Sequence, residues 1–165
     1  MANDATIGVS SQILPDYISK VMNGSFTYTP NADGSEKWIY KTTNVSNSSA
    51  VLIDTGGHAF ISPAATGARS GDVAAADIVR FIYIIHTGTS DGSSGTTEGV
   101  MLTLDEGTSA YDVVDGIWIP NGTHWYGRIP NVRADHIIAR SVANDLSGNG
   151  SGSVQVQVYA IIDDL

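Results

Sequence analysis

The sequence predicts an all-β protein: a single antiparallel β-sandwich or jelly-roll-like domain with a short N-terminal arm or helix, the arm over residues 1–22 and the β-domain over 23–165. Three observations carry that prediction. Charged residues make up 15% of the chain against the usual ~25%, so solubility rests on Ser, Thr, Asn and 18 glycines, which favour turns and strand surfaces over helices. From Phe26 onward apolar and polar residues alternate over short runs. Clusters of Gly, Pro, Asn and Asp separate those runs at short intervals. A chain of 165 residues can bury about 70% of its unfolded surface, and 42% apolar content fills one sizeable core.

The first element is the exception. Within IGVSSQILPDYISKVM, Ile13, Leu14, Tyr17, Ile18, Val21 and Met22 recur at spacings of three and four after a Ser10 or Ser11 cap, a short amphipathic helix pattern. Pro15 suits the first turn of such a helix. FTYTP and KWIYKTT then read as two strands of a hairpin turning at Asp33-Gly34. Ala50–Asp54 and His58–Ile61 flank Gly56-Gly57 as a second, shorter hairpin. Asp77–Thr87, DIVRFIYIIHT, is a nearly continuous β-branched and aromatic run, expected as a central strand covered on both faces. Gly88–Gly99 has no apolar residue and is expected as an exposed, mobile loop.

VMLTL and AYDVVDGIWIP follow as strands. At the C-terminal end Val154, Val156, Val158 and Ala160 face one way, while Gln155, Gln157 and Tyr159 face the other, a half-buried strand. No helical segment is expected after residue 22.

Net charge is −9, from 17 acids and 8 bases with no Lys/Arg cluster, which disfavours nucleic acid and anionic membranes as partners. No stretch approaches the ~20 apolar residues of a membrane span, and the N-terminus lacks a basic segment followed by an apolar one. With no cysteine, the chain is compatible with a reducing cytoplasm. Its sequons at Asn23, Asn44, Asn47 and Asn121 read as turn-rich polar sequence.

Catalytic chemistry finds little to stand on. There is no G-x-S-x-G elbow, and His58, His86, His124 and His136 are isolated, without metal-ligand spacing, so no cofactor or catalytic metal is expected. Asp145–Gly150 imitates the first half of a calcium loop, but Val156 stands where the bidentate Glu belongs, and a hairpin turn explains the segment better. The acid pairs Asp105-Glu106 and Asp163-Asp164 read as solvated loop and tail charges, and His86 and His136 as hydrogen-bonded structural histidines. Arg80, inside an apolar strand, needs an acid or carbonyl partner or a place at a subunit boundary.

The densest chemistry is WIPNGTHWYGRIP, Trp118–Pro130. If the chain turns at Pro120-Asn121-Gly122 and returns through Thr123–Ile129, alternation sends Trp125 to one face and His124 and Tyr126 to the other. Some of these rings must cover surface: under a loop, on a sugar or on another protein chain.

Taken together, the arm segment ILPDYISKVM, the cysteine-free acidic β-domain, the glycine-serine loop, RIPNVRADHIIARSV and the closing GSVQVQVYAIIDDL resemble the small decoration, or cement, proteins that stud the capsids of tailed bacteriophages. The resemblance implies a non-enzymatic virion protein on the capsid outer surface, made in the host cytoplasm. It implies a homotrimer that bridges neighbouring major capsid protein subunits and uses no cofactor. Ile13, Leu14, Tyr17 and Ile18 of the arm, with Arg80, Trp118, Trp125, Tyr126 and Arg128, are then the expected capsid or subunit contacts. The alternative is a lectin-like carbohydrate-binding module whose sugar face comprises Trp118, His124, Trp125, Tyr126 and Arg128. An enzyme is the third reading.

Overall fold

A computed structural model describes residues 5–13, 20–29, 36–53, 73–105 and 116–163. The chain divides into two compact units, Met1–Glu36 and Lys37–Leu165. The boundary expected at residue 22 falls inside a strand.

The first unit is a β-hairpin, not a helix. β1 (Ala5–Ile13) and β2 (Lys20–Tyr28) pair antiparallel in continuous register, from Ala5 opposite Tyr28 to Ile13 opposite Lys20. The period of two in Ile7, Val9 and Ile13 outweighed the spacing of three and four, because Gly8, Ser10, Ser11 and the β-branched Thr6, Ile7 and Val9 are poor helix formers. The hairpin is two-faced: half-buried Ile7, Val9, Phe26 and Tyr28 share one side, and exposed Thr6, Ser10, Asn23, Ser25 and Thr27 the other. Ile13 lies in β1, and Leu14, Tyr17 and Ile18 lie outside the described residues.

The second unit holds two four-stranded sheets. β3 (Glu36–Val45), β10 (Val154–Asp163), β5 (Ile78–His86) and β8 (His124–Arg133) form the first, in the order β3-β10-β5-β8. β4 (Ala50–Val51), β9 (Ile138–Ala143), β6 (Glu98–Thr103) and β7 (Ile117–Ile119) form the second, in the order β4-β9-β6-β7. Apart from β6 to β7, each step along the chain from β3 to β10 passes from one sheet to the other. Eight antiparallel strands in that order make a jelly roll, as the sequence predicts. A single turn of 3-10 helix, Ala134–His136, is the one helical element among the described residues, where none was expected after residue 22.

The core lies between the sheets. β10 sends Val154, Val156, Val158, Ala160 and Ile162 inward, β5 sends Ile82 and Ile84, and the facing sheet answers with Val100, Leu102, Ile119 and Ala139. β5 is central, flanked by β10 and β8, but it is covered on one face rather than two: Phe81, Tyr83 and Ile85 are only half-buried. FTY and KWIYKTT both become strands, but they belong to different sheets, since β2 pairs with β1 while β3 sits beside β10. Asn23 and Asn44 accordingly lie in strands rather than turns. The Gly56-Gly57 hairpin lies outside the described residues, apart from β4, which pairs with β9.

The segment after β5 is exposed over residues 91–95, yet it is stitched together rather than loose. The Asp91 carboxylate accepts the N–H groups of Ser93 and Ser94 at 2.9 and 2.7 Å and both serine hydroxyls. Those bonds, the Ser94 N–H foremost, hold the Asp91 carboxyl down to about 2. At the root of the loop, buried His86 joins the two sheets: its Nε2 donates to the Glu98 carbonyl and its Nδ1 accepts the Gly88 N–H, each at 2.9 Å. Burial pushes the His86 imidazole below its usual value, so it is a structural histidine held neutral.

Candidate functional site

Register and alternation together build a row of rings across the outward face of the β3-β10-β5-β8 sheet. Tyr159 of β10 stands opposite Tyr83 of β5, and Tyr83 opposite Tyr126 of β8. Tyr40 of β3 completes the row beside Tyr159, with ring centroids 4.7 Å apart and planes tilted by 33°. Tyr159 and Tyr83 stack at 5.8 Å and 28°, while Tyr126 and His124 meet the Tyr83 ring edge-on at 6.0 and 5.6 Å. Each strand thus contributes one tyrosine, and the rings are turned upon one another.

The rest of this face is amphipathic. Gln157, Ile85 and His124 lie one step along the strands in one direction, and Ile161, Phe81 and Arg128 in the other. Thr42 and Asn44 of β3 are exposed beside them. Tyr40 is 53% exposed and Tyr126 41%, so two large rings of the row stand open at the surface. Burial first, then the hydrogen bond with the Tyr40 side chain, push the Tyr159 hydroxyl above its usual value and keep it protonated.

No carboxylate appears among the described outward side chains between Gln155 and Ile161 and their neighbours on β5, β8 and β3. The acid at the end of the sheet, Asp163, is a buried group and not the solvated tail charge expected of it. It is 1% exposed, and Arg80 Nε donates to its carboxylate at 2.9 Å. The bridge depends on a β-bulge. Register skips Arg80 in β5 between Val79 and Phe81, which turns the guanidinium towards β10. Of the two options for Arg80, the acid partner is realised within the chain.

The aromatic stretch 118–128 is one cluster in sequence and three in space. The turn at Asn121-Gly122, with Gly122 at φ 69°, carries the chain from β7 in one sheet to β8 in the other instead of closing a hairpin. Trp118, 39% exposed, stays on the β4-β9-β6-β7 sheet, where its Nε1 would stand 2.9 Å from a Cβ placed on Gly99. Trp125 turns inward onto the core, its ring 2.9 Å from where a Gly127 Cβ would sit. Only His124, Tyr126 and Arg128 reach the tyrosine face. Sequence reasoning did not single out Tyr40 and Tyr83. The alternation in KWIYKTT could have flagged the first, whereas the continuous apolar run around Tyr83 hid the second.

The remaining candidates are structural. The Asp145 carboxylate accepts the Ser147 N–H at 3.0 Å and closes a turn in which Leu146 takes φ 59°. Beside it lies an open depression of about 450 Å³ lined by Thr97, Glu98, Ala143, Asn144, Asp145 and Ser147, whose Glu98 carboxylate accepts the Ser151 N–H and hydroxyl. Among the described residues no three His, Asp or Glu side chains gather as a metal site. His136 lies 3.6 Å from Asp135, and His58 falls outside the described residues.

Compared with protein-family models, curated proteins and solved structures, the chain finds no match.

Proposed function

We propose that this chain is a non-enzymatic structural protein whose work is binding other protein chains. On the resemblance set out above, it decorates the outer surface of a tailed-phage capsid as a homotrimer and bridges neighbouring major capsid protein subunits. The observation that carries the protein-binding part is the tyrosine row. Rings with apolar bodies and polar tips suit a surface that is dry when covered and tolerable when wet, and they are enriched at protein interfaces for that reason.

The same row argues against the sugar-binding alternative. A sugar ring stacks on a bare aromatic face, but the Tyr159 ring is packed between those of Tyr40 and Tyr83, at 4.7 and 5.8 Å. The residues once grouped for that role, Trp118, His124, Trp125, Tyr126 and Arg128, are divided between two sheets and the core. A jelly roll by itself favours neither reading, since capsid and lectin domains both use it.

The test is to purify virions released by cells that encode the chain, identify their proteins by mass spectrometry, and label the particles with antibody against it. The expected result is the chain in fixed ratio to the shell protein, with label on the outside. Particles lacking the chain overturn the capsid reading.

A further inference from the structure

We propose that the outward face of the β3-β10-β5-β8 sheet is the surface through which copies of this chain pack on one another. The inference rests on the reading of the chain as an assembly protein and assigns its self-contact to named residues. Charge carries the argument. Copies with a net charge of −9 repel each other, and the repulsion is strongest wherever carboxylates meet. This face is free of carboxylates among its described outward side chains, and it carries Arg128, while the acid at its end is neutralised by Arg80. Across the described side chains, two acidic chains can approach here without bringing carboxylates together. A basic partner would find its complement elsewhere on the molecule.

The chemistry of the face is also self-complementary. Tyrosine hydroxyls and the Gln157 amide both donate and accept, so one part of the patch can satisfy another part of it on the neighbouring copy, as the head-to-tail contacts of a closed trimer require. Arg128 on one copy can lie over a tyrosine ring of the next. Size agrees: four strands ~4.8 Å apart and about 30 Å long give a face of roughly 600 Å². That is most of the ~800 Å² that each partner buries in a standard interface, with flanking loops left to form the rim.

Light scattering coupled to size exclusion, across a dilution series of the full chain, tests this. The wild type is expected at a multiple of the 17.3 kDa chain mass. Tyr126→Asp and Thr42→Asp, each placing a carboxylate in the face, should raise the concentration at which the assembly dissociates by at least about tenfold, with an unchanged circular dichroism spectrum. Tyr126→Phe should leave assembly within about twofold of wild type. Thr42 is an exposed position, so its variant keeps the test valid even if Tyr126→Asp fails to fold. A monomeric wild type, or an oligomer indifferent to Thr42→Asp, overturns the inference. A monomer still found on virions would sink the self-contact alone. An oligomer broken by these changes but absent from virions would sink the capsid reading alone.

Discussion

Along β10 the chain sends Val154, Val156, Val158 and Ala160 one way and Gln155, Gln157, Tyr159 and Ile161 the other; β5 does the same with Ile82 and Ile84 against Phe81, Tyr83 and Ile85. The inward set is hydrocarbon packed against a second sheet, so each residue contributes through area removed from water and through close contact. The outward set mixes large rings with groups that keep a polar tip, and it stays half-open in a single chain. What the difference teaches is that identical backbone, one residue out of phase, can serve folding on one side and association on the other. The inward face should then respond to truncation at any protein concentration, and the outward face only when copies meet.

The sharpest break of this comparison is Ile82→Ala on the inward face. It should cost about 2–5 kcal/mol in urea unfolding, from lost transfer energy plus the cavity left behind. Arg80→Met comes next, at about 2–3 kcal/mol, because it removes the guanidinium paired with the buried Asp163 carboxylate; the double change Arg80→Met with Asp163→Leu should recover most of the loss, which a double-mutant cycle would measure. Gly127→Ala should cost about 1–2 kcal/mol, since its Cβ would stand 2.9 Å from the Trp125 ring, and tryptophan fluorescence should report the displaced indole.

A gentler effect comes from His86. Its folded value is lowered, so the unfolded chain takes up the proton first as pH falls below about 6.5. Stability is therefore whole above that pH and declines as pH drops towards the folded value; His86→Gln should flatten the slope in unfolding measurements repeated from pH 8 to 5, about the range in which histidine titrates. The smallest effect is Tyr126→Ala on the outward face, under about 0.5 kcal/mol in dilute single chains. A large loss there would erase the distinction between the two faces.

Much of this was legible in the sequence. The all-β class, the jelly-roll option, the central position of β5, the alternation in β10 and the turn at Asn121-Gly122 all follow from local pattern and turn chemistry. Arg80 advertised its need for an acid, although Asp163 was mistaken for a tail charge because nothing local marks a carboxylate that will be buried by a strand 83 residues away. The N-terminal hairpin was misread because spacings of two, three and four coexist in IGVSSQILPDYISKVM, and the pairing of Lys20–Tyr28 with Ala5–Ile13 had no sharp turn signal to announce it. The candidate site was half-legible: Tyr126, His124 and Arg128 were singled out, but grouped with Trp118 and Trp125 by proximity in sequence.

By itself the sequence determined which side chains share a face of each strand, because that alternation is a property of the local backbone with a period of two. It also determined the turn at Asn121-Gly122, since glycine takes positive φ at a single position without strain. Tertiary structure alone decided which strands became neighbours. Tyr40, Tyr83, Tyr126 and Tyr159 form a row only because backbone hydrogen bonds set the register between strands far apart in the chain, and a shift of one residue in any of them would send its ring to the opposite side.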